Sequence, residues 1–262
     1  MRRFKFNMLW ICLALVLSLI SFNRLNAHDL WINVEDYTPD LGTPLWITLG
    51  YGHYYLCPGT EFIEKQYRGK VFLIDPDGRR LKLKAIDSWG YESGALQKKG
   101  TYLIATTKKG MFFTKTTEGY KRGRSKKGLK NVISCTYSAK YAKAIVNVGG
   151  SGGNIFSKPV GHKLEIIPLK DPANLRQGDY LPIKVIYNNK PLKTEVFATY
   201  AGFSSDKSVF AYATRTDERG TAEIKIIRSG IWLVKVGHKV PYPEPDVCDQ
   251  YSFSATLTFE VK

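Results

Sequence analysis

Leu45-Trp46-Ile47-Thr48-Leu49-Gly50-Tyr51-Gly52-His53 is a run of apolar, β-branched and aromatic residues that ends in a Gly-His pair. Such a run predicts a largely buried β-strand that stops at the histidine. Comparable short runs recur through the first half of the chain, at residues 30–34, 71–74, 81–86, 100–106 and 111–114. Because turn residues separate them at short intervals, we expect an N-terminal β-sandwich.

The second half repeats this pattern more regularly. About seven further strands are predicted, at residues 163–169, 181–187, 195–200, 208–214, 222–227, 231–236 and 252–261. Their number and spacing are typical of an immunoglobulin-like or transthyretin-like sandwich. The predicted fold class is therefore all-β with minor α content, built from two β-sandwich domains.

In one segment between the two halves, the apolar and aromatic residues have a spacing that is typical of a helix and not of a strand. In residues 134–148 the side chains of Tyr137, Tyr141, Ile145 and Val148 follow each other at helical spacing, which predicts one short helix near 137–145. The glycine-rich segment 149–153 that follows reads as a linker. We therefore expect domains at 28–153 and 154–262.

The first 27 residues have the three parts of a secretory signal peptide. A basic start is followed by an apolar run over residues 8–22 and a polar end that closes with Ala27. Cleavage there predicts a periplasmic protein whose mature chain begins at His28. An uncleaved membrane anchor is the alternative, because Leu25 is a less favourable residue near the cleavage site and the run approaches spanning length.

The chain is basic, with a formal net charge of +16. Part of this excess is local, at Lys121, Arg122, Arg124, Lys126, Lys127 and Lys130. Because an exported protein rarely meets nucleic acid, we expect no nucleic-acid partner and consider an anionic envelope surface instead. A flexible basic loop without a partner is the simpler alternative.

Three cysteines follow the leader, at Cys57, Cys135 and Cys248. An oxidising compartment favours one disulfide among them, and the absence of a C-x-x-C pair excludes zinc-ribbon and thioredoxin-type motifs. Cys57 and Cys248 each follow a Gly-His pair, which makes them the preferred couple, although the sequence leaves the pairing open.

The chain contains four histidines: His28, His53, His162 and His238. After cleavage, the α-amine and Nδ1 of His28 could bind one metal ion in a six-membered chelate. His53 and His238 each end an apolar strand after a glycine, so both are candidate partners of His28, with Glu61 and Glu244 as possible carboxylate donors. The alternatives are a terminal histidine exposed by chance and strand-end histidines bonded to carbonyl groups. His162 is expected at the domain junction.

Motifs of common enzymes are scarce. The phosphate-binding patterns G-x-x-x-x-G-K-[ST] and G-x-G-x-x-G are both absent. Carboxylate pairs could act on glycosides, but the sequence does not give their separation. We therefore expect no catalytic residues and no enzyme.

Several blocks resemble a known family of bacterial periplasmic proteins, grouped with nickel and cobalt transport components under a domain of unknown function. The blocks lie at residues 27–32, 50–53, 159–168, 188–192, 216–220 and 230–238. The resemblance implies export, two β-rich domains, association with a membrane metal-uptake transporter, and metal ligands at His28, His53 and His238. One departure is Tyr54-Tyr55-Leu56-Cys57, where many relatives have a phenylalanine-proline step.

Three functions remain open from the sequence. The first is a nickel- or cobalt-binding protein that assists uptake. The second is a copper protein with a histidine brace, in which the terminal amine and two imidazoles bind the metal. The third is a metal-free envelope scaffold or adhesive module that uses the basic cluster to contact an anionic surface.

Overall fold

The computed structural model describes residues 28–55 and 63–262. Strands make up most of this part of the chain: β1 (Asp29–Val34), β2 (Trp46–Gly52), β3 (Phe72–Ile74), β4 (Arg80–Leu81), β5 (Lys84–Ala85), β6 (Gly90–Glu92), β7 (Gly100–Thr116), β8 (Gly119–Arg122), β9 (Val132–Val148), β10 (Leu164–Pro168), β11 (Tyr180–Tyr187), β12 (Lys190–Pro191), β13 (Glu195–Tyr200), β14 (Tyr212–Arg215), β15 (Thr221–Lys225), β16 (Gly230–Pro241) and β17 (Gln250–Val261). The described helices are short 3-10 turns at Lys65–Tyr67, Ile155–Ser157 and Pro172–Asn174.

A nine-stranded sheet forms the centre of the molecule. Its order is β14-β13-β16-β17-β9-β7-β3-β4, with β8 paired to β7. The β17–β9 pair is parallel, and the other pairs are antiparallel. This pair joins the two halves of the sequence, so one sheet continues across the predicted domain boundary. The bounds 28–153 and 154–262 stay a prediction.

Two smaller sheets cover opposite faces of the central sheet. On one face lies the sheet β1-β2-β6-β5, with a core that includes Leu30, Ile32, Tyr102, Ala144 and Val146. On the other face lies the sheet of β10, β11, β12 and β15, with a core that includes Ile166, Ile183, Trp232, Leu257 and Phe259. The all-β prediction is confirmed. The immunoglobulin-like or transthyretin-like character of the C-terminal half stays a prediction.

The short helix predicted near 137–145 is wrong, because these residues lie inside the 17-residue strand β9. Tyr137, Tyr141 and Ile145 are four residues apart, and four is a multiple of the two-residue period of a strand, so the same spacing places them on one strand face. Val148 belongs to the other face. Since β7 and β17 flank β9, its backbone is paired on both sides.

The preferred disulfide between Cys57 and Cys248 is also wrong. Cys248 is bonded to Cys135, with their Cα atoms 4.9 Å apart. Cys135 precedes Thr136, which pairs with Gln250 across the parallel β9–β17 ladder, so the sheet register brings the two cysteines together. Cys57 lies outside the described residues.

The predicted leader, residues 1–27, also lies outside the described residues, so its cleavage stays a prediction. Within residues 28–55 and 63–262, no helix has the length and apolar character needed to cross a bilayer.

Candidate metal site and the adjoining cavity

His28 and His53 lie side by side at one end of the β1–β2 pair. β1 begins at Asp29 and β2 ends at Gly52, and these two residues are partners in the antiparallel register. The flanking histidines are therefore neighbours across the end of the ladder, with ring centroids 4.5 Å apart and planes inclined by 35°. Gly52 has a φ of 144°, a conformation that favours glycine, so the Gly-His pair allows the chain to turn into the site.

Asp29 and Tyr55 connect the two segments that carry these histidines. The buried carboxylate of Asp29 accepts a hydrogen bond of 2.7 Å from the Tyr55 hydroxyl and forms an ion pair with Lys235. Burial opposes ionisation of Asp29, but Lys235 and Lys140 outweigh it and lower the pKa of the carboxyl group. Burial and the Asp29 charge raise the pKa of Tyr55, which keeps its hydroxyl a donor.

We expect Tyr55→Phe to weaken metal binding about 10-fold, because partners that orient metal ligands typically contribute 10- to 100-fold in affinity. The substitution removes the hydroxyl that ties the His53 segment to Asp29. Isothermal titration with Ni²⁺ or Cu²⁺ measures the effect. Tyr54→Phe is the matched control, because Tyr54 is exposed, and an equal loss in both variants would contradict this positioning role.

A cavity of about 320 Å³ lies next to His28. It forms where the β1–β2 cover ends and leaves part of the central sheet open on that face. Its walls are aromatic side chains, and its polar groups are hydroxyls, one amide and cations: Tyr51, Phe113, Tyr120, Arg122, Ser134, Thr136, Ser138, Lys140, Lys239, Gln250 and Ser252. A smaller cavity of about 30 Å³ adjoins it and includes Lys108.

Two lysines in these walls are almost fully buried. Lys140 is 3% exposed and Lys108 is 2% exposed. Burial lowers the pKa of Lys140 to about 8, with Lys235 adding to the effect and Asp29 opposing it. Burial likewise lowers the pKa of Lys108 to about 8, with a contribution from Lys140. Both ammonium groups therefore cost stability at neutral pH, and such costly charges are concentrated at functional sites.

We expect Lys140→Met to raise the free energy of unfolding at pH 7 by about 3 kcal/mol, since the pKa falls from 10.5 to about 8 and one pKa unit corresponds to about 1.4 kcal/mol. The folded-state pKa lies below the unfolded value of 10.5. The penalty of the charge is therefore complete below pH 8 and disappears as the pH rises from 8 to 10.5. Denaturant titrations across this range measure it, and a variant that is less stable than the parent protein at pH 7 would refute the prediction.

His238 does not join the other two predicted ligands. Residues of β16 alternate between faces, and Lys239 lines the cavity beside His28 while His238 packs edge-on against Tyr187, at 4.5 Å between ring centroids, on the opposite face. Burial lowers the pKa of His238. The predicted three-histidine convergence is thereby corrected to a pair, because the strand alternation fixes the direction of His238.

The other candidates also lie apart from the pair. Burial lowers the pKa of His162 to about 4, and its ring lies 5.2 Å from Tyr141 on the His238 face. Glu244 belongs to the turn after β16, where its carbonyl accepts from the backbone N–H groups of Val247 and Cys248. Glu61 lies outside the described residues. Over residues 28–55 and 63–262, no group of three or more His, Cys, Asp or Glu side chains could hold a metal ion.

The basic cluster lies in β8 and the turns that follow it. Arg122 reaches the mouth of the cavity, and Lys126 is held against Asp249 and donates to the carbonyl of Pro245 at 3.0 Å. Its proposed role towards an anionic envelope surface stays a prediction.

The fold and the site define a class: an all-β protein with a histidine pair at the edge of a cationic cavity. Residues 25–240 match the family described as a domain of unknown function, DUF4198, and the chain belongs to that family. No curated protein matches the chain.

Solved structures resemble the chain only distantly. The D0-D1 domain of intimin is 13% identical, with 88% of this chain and 97% of that chain covered and a TM-score of 0.23. A Salmonella alpha-2-macroglobulin reacted with methylamine is 8% identical, with coverages of 91% and 15% and a TM-score of 0.26. The two tandem V-type regions of the chitin-binding protein VCBP3 are 6% identical, with coverages of 87% and 99% and a TM-score of 0.25. At these TM-scores the resemblances carry no argument about function.

Sequence reasoning missed Asp29, Tyr55, Ser138 and Lys140. Asp29 directly follows His28, and Tyr55 lies two residues after His53. Their closeness to candidate ligands could have marked both as residues that support the site. Ser138 and Lys140 lie in the segment that was predicted as a helix. Read as a strand, its alternate residues Ser134, Thr136, Ser138 and Lys140 would have formed one polar face.

Proposed function

We propose that the chain is an exported protein that loses residues 1–27 and then binds one divalent transition-metal ion through His28 and His53. Nickel or cobalt, bound by a protein that assists a membrane uptake transporter, is the primary assignment. The observation that carries the proposal is the 4.5 Å separation of the two imidazole rings at the start of the described chain.

This separation fits ligation of one ion. Metal–nitrogen bonds to histidine are about 2.0–2.1 Å, which puts the centroids of two cis imidazoles about 4.5–5 Å apart. The α-amine of His28 would supply a third nitrogen after cleavage, because it titrates near pH 8 and can be deprotonated by the metal. The ion would thus be held by nitrogen donors from two segments that Asp29 and Tyr55 keep together.

The donor set also favours a second candidate, the histidine-brace copper protein. With His238 on the other face of the sheet, the amine and two imidazoles are the donors that a brace requires. Nitrogen donors in a tetragonal arrangement suit both Ni²⁺ and Cu²⁺, and copper binds more tightly to a given site. Which metal the protein carries in the cell therefore depends on supply as well as affinity.

Metal analysis of the protein purified from the exporting cell, with its N-terminus determined by mass spectrometry, tests the proposal. We expect a chain that begins at His28 and holds one equivalent of nickel or cobalt. One equivalent of copper would select the brace instead. A chain that binds no transition metal and gains no thermal stability from Ni²⁺, Co²⁺ or Cu²⁺ would refute both and leave the envelope scaffold.

A further inference from the structure

The floor of the 320 Å³ cavity is a stripe of polar residues on the central sheet. The parallel register pairs Thr136 with Gln250, Ser138 with Ser252 and Lys140 with Ser254. On the next strand, Lys239 is the partner of Ser252. One face of three adjacent strands thus presents hydroxyl, amide and ammonium groups, in a layer where the rest of the sheet is packed against apolar side chains.

We propose that this cavity binds a small organic acid, with a carboxylate held by Lys140 and Ser138 and a second acid group at its mouth near Arg122 and Lys239. The inference goes beyond metal binding, since it requires neither the metal ion nor cleavage of the leader. His28 borders the same cavity, which places the acid next to the metal site.

The buried polar groups in the floor lack sufficient partners among residues 28–55 and 63–262. The Ser138 hydroxyl is buried and makes no hydrogen bond to any described residue, and Ser138 is 5% exposed. Lys140 has a hydrogen bond of 3.3 Å to the Ser254 hydroxyl. Buried polar groups are normally satisfied, and an ammonium group needs an anion or several acceptors when it is withdrawn from water. A carboxylate in the cavity would supply these acceptors.

The charge of the cavity favours an anion. Lys140, Lys239 and Arg122 line it, and none of the described lining residues is acidic. The nearby carboxylate of Asp29 is engaged directly by Lys235 and Tyr55, and it interacts with Lys140 through its charge without a hydrogen bond to it among the described contacts. Lys108, in the adjoining cavity, is buried with its ammonium group over the rings of Tyr67 and Phe113 and has no hydrogen-bond acceptor among the described residues. Glu64 also lines the adjoining cavity. Among the described residues on this side of the sheet, the cations Lys108, Arg122, Lys140, Lys235 and Lys239 therefore exceed the carboxylates Asp29 and Glu64.

The shape and lining identify the class of acid. A volume near 320 Å³ is at the lower end for small-molecule sites, so the ligand is compact. Tyr51, Phe113 and Tyr120 offer apolar surface to its carbon skeleton. The deep end has one ammonium group and hydroxyls, without the guanidinium fork or helix N-terminus that typically binds phosphate. A compact di- or tricarboxylate therefore fits better than a phosphate.

Isothermal titration of the metal-free protein with citrate tests the proposal, with inorganic phosphate as the comparison anion. We expect one citrate per chain, a loss of at least about 10-fold in affinity for Lys140→Met, and a smaller loss for Ser138→Ala. Lys109→Met is the matched control, because Lys109 is the exposed neighbour of Lys108 on β7, and it should bind as the parent protein does.

Circular dichroism checks that each variant is folded, and Ser138→Ala is a second floor variant that tests the cavity independently of the charge of Lys140. The proposal is overturned if citrate does not bind the metal-free protein, if both floor variants bind it as well as Lys109→Met does, or if phosphate binds as tightly as citrate. Because the metal is absent, these outcomes are independent of whether His28 and His53 bind nickel, cobalt or copper.

Discussion

A mature protein with one alanine added before His28 is expected to bind Ni²⁺ or Cu²⁺ at least about 100-fold more weakly than the protein that begins at His28, a loss of about 2.7 kcal/mol. The extension converts the α-amine into an amide, which cannot serve as a neutral amine ligand at pH 7. It also breaks the six-membered chelate of amine and Nδ1, so the His28 ring loses the advantage of a second bond from the same residue. Of the original donors the two imidazoles would remain, because the new α-amine belongs to the added alanine and cannot close the six-membered chelate with Nδ1 of His28.

The matched control is an alanine added after Lys262, at the other end of the chain, which should leave metal affinity unchanged. Isothermal titration of all three proteins under identical conditions gives the comparison. Equal affinities for the parent and the N-terminally extended protein would show that the α-amine is not a ligand, and the brace would be excluded with it.

Lys143→Met is expected to lower the free energy of unfolding by about 3–5 kcal/mol, because it leaves a buried carboxylate without its counter-ion. Lys143 and Glu165 form an ion pair of 2.7 Å, with side chains 2% and 1% exposed. The Glu165 carboxylate also accepts hydrogen bonds from the backbone N–H groups of Val160, at 2.8 Å, and His162, at 3.1 Å. Burial lowers the pKa of Lys143, and the neighbouring Glu165 opposes this effect without cancelling it. Each buried charge therefore depends on the other as its counter-ion.

The surface pair Lys193–Glu218 supplies the control, with side chains 47% and 80% exposed. Lys193→Met should change stability by less than about 1 kcal/mol, since exposed pairs contribute little. Denaturant unfolding at pH 7 measures both variants. Equal small losses would mean that the buried Lys143–Glu165 pair contributes no more to stability than the exposed Lys193–Glu218 pair.

The sequence pattern predicted most of the strands, including those that bring His28 and His53 together, whose role as metal ligands stays a prediction. The run from Leu45 to His53 was predicted to be a strand ending in a histidine, and β2 ends at Gly52 as expected. Because β1 and β2 are adjacent in sequence and pair antiparallel, a histidine before β1 and another after β2 meet across the end of the ladder. Local pattern and short-range pairing are therefore enough to bring His28 and His53 together.

The sequence does not show which strands that are distant in the chain pair with each other. The wrong predictions for the disulfide, His238 and the helix all follow from this. The Cys135–Cys248 disulfide and the direction of His238 both depend on β9, β16 and β17 lying next to each other in the central sheet. The four-residue spacing of Tyr137, Tyr141 and Ile145 fits a helix and a strand alike, and only the neighbouring strands select between them. The sequence around Lys140 does not distinguish it from a lysine on the surface. Its burial could be predicted only once the pairing of the strands around it was known.

The affinity of the mature protein for Ni²⁺, measured side by side for the parent, His53→Ala and His238→Ala, is the most direct test of the paired-histidine site. We expect one tight site in the parent, a loss of at least about 10-fold in His53→Ala, and unchanged binding in His238→Ala. A parent protein that binds no Ni²⁺ or Cu²⁺, or a loss in His238→Ala as large as that in His53→Ala, would contradict it.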